Sequence, residues 1–191
     1  FSGENKWKQF SQWPPKKVAL RSLYLQPSHG LSFMPPRLLS DQEKPDAISS
    51  WSEYISDPAQ PIPHESGLIE KRTKEYMIAD QRFASQREDV LVFATDTLQE
   101  DITLAGPLIA DLMVSISNTD ADFVVKLIDV FPDNIIERDT LYKNDTIMNS
   151  YEMLVRGEVM RGKYRNSFEN PEPFVPNKIT KVKFALPDIA H

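Results

Sequence analysis

Three histidines, His29, His64 and His191, are the only imidazoles in 191 residues, and cysteine is absent. Those two facts restrict the chemistry sharply. Without cysteine there is no disulfide scaffold, no thiolate zinc site and no Cys nucleophile. A serine hydrolase needs a nucleophile, a base that takes its proton and a group that orients the base. In α/β-hydrolases the serine stands on a G-x-S-x-G elbow. The six glycines are Gly3, Gly30, Gly67, Gly106, Gly157 and Gly162, and no two are four positions apart, so the elbow is missing. His29, in Pro-Ser-His-Gly, and His64, after Pro63, have the settings of solvated turn residues. His191 ends the sequence and its role stays open, so the segment carries no complete triad.

The run Asp120-Ala121-Asp122, with Asp129 and Asp133 downstream, superficially suggests calcium. Hard cations need several oxygens converging from one loop. Here Asp122 and Asp129 fall within one strand pattern and must point to opposite faces. Polar stitching explains them better: Asp122 shares a strand face with Lys126, and Arg156, Arg161 or Arg165 can pair with carboxylates of a neighbouring strand. Neither G-x-G-x-x-G nor a Walker-type loop is present, so no metal and no cofactor is expected. The last chemical hint is Lys71–Phe83 (KRTKEYMIADQRF), which crowds charge beside Tyr76, Met77 and Phe83. Arg82 and Arg87 flank Asp80 and Asp89. Two readings compete: a surface loop tied down by aromatics and ion pairs, or a loop overhanging a pocket on a partner domain.

The elements that would position these residues are mainly strands. Leu108, Ala110, Leu112, Val114 and Ile116 alternate with Ile109, Asp111, Met113, Ser115 and Ser117, the period-two pattern of a strand with one dry face. Thr180, Val182, Phe184 and Leu186 alternate with Lys181, Lys183 and Ala185 in the same way. Asp122–Phe131 is apolar on both parities, which predicts a central strand covered on both sides. Tyr151–Arg165 alternates too, with bulges or bends expected at Gly157 and Gly162. Val18–Leu25 and Val90–Thr95 have strand character. Helical pattern is confined to two weak candidates, Glu65–Ala79 and Asn134–Met148. The whole predicts an all-β chain folded as a jelly-roll β-sandwich.

Composition agrees with one ordinary core. The chain is 40% hydrophobic and 26% charged, with 22 basic against 28 acidic residues, a net charge of −6. That balance disfavours a general grip on nucleic acid. No apolar run has the length of a membrane span. Fifteen prolines argue for extended connections, densest in a loop region over residues 26–67. Residues 1–17, with Trp7, Phe10 and Trp13, form an aromatic lead-in whose rings either pack on a neighbouring surface or stack on a ligand.

Several stretches together resemble a known family. They are Gly3-Glu4-Asn5-Lys6-Trp7 with Trp13-Pro14-Pro15, Tyr54 to Pro63 (YISDPAQPIP), Asp80-Gln81-Arg82-Phe83, Arg87 to Phe93 (REDVLVF) and Leu104-Ala105-Gly106-Pro107. Asp120 to Asp133 (DADFVVKLIDVFPD) and Arg156 to Arg165 (RGEVMRGKYR) complete the series. The set resembles the C-terminal domain of the X-prolyl dipeptidyl peptidase, cocaine esterase and α-amino-acid ester hydrolase group. The nearest likeness is to its glutaryl-7-aminocephalosporanic acid acylases.

The resemblance implies a galactose-binding-like jelly roll over residues 18–191, with residues 1–17 leading in from an α/β-hydrolase catalytic domain. It places the triad of that parent upstream of Phe1, and it implies acyl transfer or hydrolysis at esters and amides. The jelly roll would pack on the catalytic domain and lend side chains to the rim of the acyl pocket, with Tyr76 and Met77 as candidates. Relatives of this type continue past Leu186-Pro187-Asp188, so the sheet is expected to lack its last strands and to favour association into a homo-oligomer through the open edge. A carbohydrate-binding module, stacking sugars on Trp7, Trp13 and Trp51, is the competing function. Compartment stays open between periplasmic or secreted and cytoplasmic.

Overall fold

The computed structural model describes residues 1, 6–36, 51–64, 74–133 and 148–191. The chain divides into two units, one formed by Phe1–Val18 with Thr103–His191 and the other by Ala19–Ile102.

The first unit holds the four long strands, β3 (Ala105–Val114), β4 (Asp122–Val130), β5 (Glu152–Arg161) and β6 (Thr180–Ala190). β3 pairs antiparallel with β6, and β4 pairs antiparallel with β5. In the first ladder the alternation does what period two requires. Ala110, Val182, Phe184 and Leu186 are buried, whereas Ile109, Asp111, Met113, Lys181 and Lys183 are exposed. Phe123, Val125 and Met160 of the second ladder pack against that buried row. Phe174, from the loop before β6, completes the core at 3% exposure. Two ladders sharing one apolar interior make an all-β sandwich, each fully buried large side chain contributing about 1.5–3 kcal/mol.

β4 corrects one expectation. Its two apolar parities do not mean burial on both faces: Val124 is 62% and Val130 60% exposed. One parity enters the core and the other forms an open apolar face in this chain. The irregularity in β5 is also displaced from Gly157. Leu127 lies opposite Arg156 but Ile128 opposite Leu154, so Val155 is the extra residue of a bulge. Gly157 instead lies beneath the Lys126 stem, and Gly162 opens a 3-10 turn, Gly162–Tyr164.

Polar stitching across β4 and β5 is as the residue types predict. Arg161 Nε and Nη2 donate to the two oxygens of Asp122, each at 2.7 Å. Those hydrogen bonds first, and the Arg161 and Lys163 charges after them, hold the Asp122 carboxyl below its usual value against partial desolvation. A depressed folded pKa gives a contribution complete above the unfolded carboxylate pKa of about 3.9 and lost as pH falls through the folded value. Replacing Arg161 by Met is expected to return the Asp122 titration towards the ordinary value in carboxyl-detected NMR. The melting temperature at neutral pH should move little, because the pair is solvent-exposed.

The second unit has little regular structure. β1 (Tyr24–Leu25) and β2 (Leu31–Ser32) form a short hairpin around a 3-10 turn at Pro27–His29. The Val18–Leu25 strand is thus only its last two residues. Val90–Thr95 forms a single bridge rather than a strand: the Ala94 N–H donates to the His29 carbonyl at 3.0 Å, and Ala94 accepts from Leu31 at 2.8 Å. One helical turn, α1 (Arg82–Ser85), was not signalled by any apolar period. Of the two helix candidates, residues 65–73 and 134–147 lie outside the described residues. Glu75–Met77, within the first, is a 3-10 turn.

Candidate functional site

Tyr76 and Met77 sit on that 3-10 turn, closed by Met77 N–H to the Lys74 carbonyl at 3.2 Å and Ile78 N–H to the Glu75 carbonyl at 3.0 Å. The Tyr76 ring is half-buried against the His64 imidazole, centroids 4.6 Å apart and planes at 42°. Met77 and Ile78 point outward, 51% and 70% exposed.

The segment after the turn is staked down by short-range polar contacts. The Arg82 N–H donates to Asp80 Oδ1 at 3.1 Å while the Arg82 guanidinium grips Oδ2 of the same carboxylate. Gln81 is 3% exposed and donates its amide to the Ala79 carbonyl at 2.8 Å. The Gln81 backbone carbonyl accepts the Ala84 and Ser85 N–H groups of α1 at 2.9 and 3.1 Å. Downstream, Arg87 Nε and Nη2 reach the two oxygens of Asp89 at 2.7 and 2.6 Å, and Nη2 also donates to the Gln60 carbonyl at 3.1 Å. Hydrogen bonding to Arg87 is the main reason the Asp89 carboxyl titrates below its usual range. The Asp-x-Arg and Arg-x-Asp spacings therefore mark two clamps, as the tied-down reading of this loop requires. They follow directly on a turn that exposes Met77 and Ile78.

Beyond the clamps the described residues of this unit bury little apolar surface. Among the described residues of 19–102 the only buried apolar side chain is Ala84. Leu20 (89%), Ile55 (85%), Met34 (72%) and Trp51 (68%) stand in solvent. Scattered exposed apolar residues are ordinary, but this many beside a single buried one among the described residues is an unusual surface.

The histidines take separate places. His29 is exposed, at φ +62°, with its ring 5.3 Å from that of Phe93. His191 Nε2 lies 3.1 Å from Asp129 Oδ2, a contact from the end of β6 to β4. Asp122 and Asp129 indeed face apart, one to Arg161 and the other to His191. Asp120 accepts the Ala121 and Lys163 N–H groups, which commits it to the backbone. No group of three or more His, Asp or Glu side chains gathers among the described residues. No described helix is long and apolar enough to cross a membrane. Trp7 is fully exposed, and Trp13 donates its indole N–H to Asp188 Oδ2 at 2.5 Å, a contact that no sequence pattern announces.

Comparison with known proteins gives a consistent result. Residues 2–191 match the family model described as the X-Pro dipeptidyl-peptidase C-terminal non-catalytic domain. The chain is 33% identical over 131 residues to cocaine esterase from Rhodococcus sp. (strain MB1 Bresler), which covers 69% of this chain and 23% of the esterase. Among solved structures it is similar to an aminopeptidase from a marine sediment Thaumarchaeota archaeon, at TM-score 0.82 and 33% identity over 100% of this chain and 30% of that one. It is similar also to a selenomethionine-labelled α-amino acid ester hydrolase, at TM-score 0.83 and 34% identity over 98% of this chain and 30% of that one. The chain thus spans under a third of the length of each of these relatives.

Proposed function

This chain belongs to the family of X-Pro dipeptidyl-peptidase C-terminal non-catalytic domains, and from that membership we propose that it stabilises a serine-hydrolase parent and shapes the rim of its acyl pocket. The observation that carries the proposal is the exposed apolar surface of the described residues of 19–102, among which only Ala84 is a buried apolar side chain; such a surface calls for a partner. The catalytic α/β-hydrolase part of the same protein is that partner. Tyr76, backed by His64, and Met77 stand at the pocket rim, directly before the Asp80–Arg82 and Arg87–Asp89 clamps. Bond cleavage belongs to the catalytic part, on acyl esters or amides; the motif likeness to glutaryl-7-aminocephalosporanic acid acylases supports an amide among its substrates. The rim acts by excluding water and orienting the acyl group.

The test uses p-nitrophenyl esters and amino-acid p-nitroanilides with this chain alone and with the whole hydrolase. The chain alone is expected to be inactive. In the whole hydrolase Met77→Ala and Tyr76→Ala should raise KM by about tenfold, the scale of one buried apolar contact, with little change in kcat. Turnover by the chain alone, or rim variants that leave KM for every acyl group untouched, would overturn the proposal.

A further inference from the structure

We infer that the lead-in is a strap locked onto the sandwich, with Asp188 as the positioning residue that holds it through Trp13. Residues 1–18 group with Thr103–His191 rather than with the residues that follow them in sequence. Two contacts fix the strap to the sandwich and a third, within the strap, braces Trp13. The Trp13 indole N–H donates to the Asp188 carboxylate. Pro14 rests on Gly106, whose φ of +103° suits glycine and where a Cβ would come within 2.8 Å of Pro14 Cγ. Phe10 packs edge-to-face on Trp13 with centroids 6.3 Å apart.

The seat itself is braced from below. Arg156 donates through Nε and Nη2 to the Asp188 backbone carbonyl at 3.0 and 2.8 Å. β5 thereby holds the stretch of β6 at which the register with β3 shifts, and the Asp188 side chain is left for Trp13. A hydrogen bond to a carboxylate is about twice as strong as one between neutral groups. Trp13 and Asp188 are 175 residues apart, so this one bond ties the lead-in to β6. The consequence for function rests on the proposal above: the strap fixes the direction from which the catalytic part joins the sandwich.

The experiment compares Trp13→Phe, Asp188→Ala, Asp188→Asn and the Trp13→Phe/Asp188→Ala double variant. In the 191-residue chain, tryptic cleavage after Lys16 and Lys17 should accelerate about tenfold in the first two, the factor expected on losing one hydrogen bond to a charged group. Only the Trp13 indole resonance among the three tryptophans should shift in Asp188→Ala, whose backbone bond to Arg156 is kept. Asp188→Asn retains an accepting oxygen and should recover most of the protection. The double variant should be no more labile than either single one. In the whole hydrolase Asp188→Ala should raise KM with kcat kept, and Asp188→Asn should not. Unchanged cleavage in Asp188→Ala, or fully additive single effects, would remove the lock. A loosened strap with KM unchanged would remove its orienting role. A KM effect of Asp188→Ala beside silent Tyr76 and Met77 variants would uphold the strap and overturn the rim reading instead.

Discussion

Gly162→Ala is expected to destabilise the sandwich by about 3 kcal/mol, the upper part of the usual range for overpacking a dense core. A Cβ at this position would stand 2.4 Å from Phe174 Cε2, 2.9 Å from Phe123 Cε2 and 3.0 Å from the Ala121 carbonyl oxygen. None of the three can yield cheaply. The two rings meet each other at 5.9 Å and are anchored in the core cluster, and the Ala121 oxygen accepts the Gly162 N–H at 2.8 Å. The measurement is the urea midpoint of the unfolding transition. Phe174→Leu removes the ring edge responsible for the closest clash, so in its background the Gly162→Ala penalty should shrink by about 1 kcal/mol or more. Gly157→Ala is the control. There the added methyl meets Lys126 Cγ at 3.3 Å, the stem of a side chain that can shift, and stability should stay within about 1 kcal/mol of the parent. Equal effects at the two glycines, or strict additivity with Phe174→Leu, would refute the steric explanation.

That contrast between two glycines five residues apart also marks how far residue patterns reach. β3 and β6 were legible because each has a wet and a dry face, and Asp111 with Lys181 and Lys183 on the outside leaves no doubt which is which. β4 was legible as a strand but not in its burial. An apolar residue such as Val124 looks the same to a pattern whether it is covered by this chain or by another. The bulge at Val155 was not legible, since it is a property of the pairing with Leu127 and Ile128 rather than of β5 alone. The Asp80–Arg82 and Arg87–Asp89 clamps could be anticipated because both partners are close in sequence. Trp13–Asp188 and His191–Asp129 could not, because only the folded topology brings them together. Tyr76 and Met77 were singled out by family resemblance. The residues themselves show only an aromatic and a thioether in a charged loop.

The loop that delivers Phe174 into the core leads to the second large effect. Arg165→Ala should cost about 3 kcal/mol, since one side chain satisfies several groups at once. Its side chain is only 5% exposed, rare for a charge unless it is paired. Nη1 donates to the Gly162 carbonyl at 3.0 Å and to the Glu172 carbonyl, Nη2 lies 3.0 Å from Glu172 Oε1, and the guanidinium covers the Phe174 ring at 4.5 Å. The residues it joins are already linked by backbone bonds, Glu172 N–H to Lys163 at 2.7 Å and Phe174 N–H to Thr119 at 2.7 Å. Removing the Arg165 side chain takes a donor from the Glu172 carbonyl and one of two from the Gly162 carbonyl, which keeps the backbone N–H of residue 165 at 3.2 Å, and uncovers the Phe174 ring. The carboxylate matters less: Glu172 is 59% exposed and water can replace the guanidinium, so Glu172→Gln should cost well under 1 kcal/mol. Arg165→Lys should recover only part of the loss, because one ammonium cannot reproduce a planar fork or lie flat on the ring. The ordering Ala, Lys, wild type in urea midpoints, with Glu172→Gln near wild type, is the expected result. If Glu172→Gln were as damaging as Arg165→Ala, the ion pair rather than the backbone carbonyls would be holding Phe174 in place.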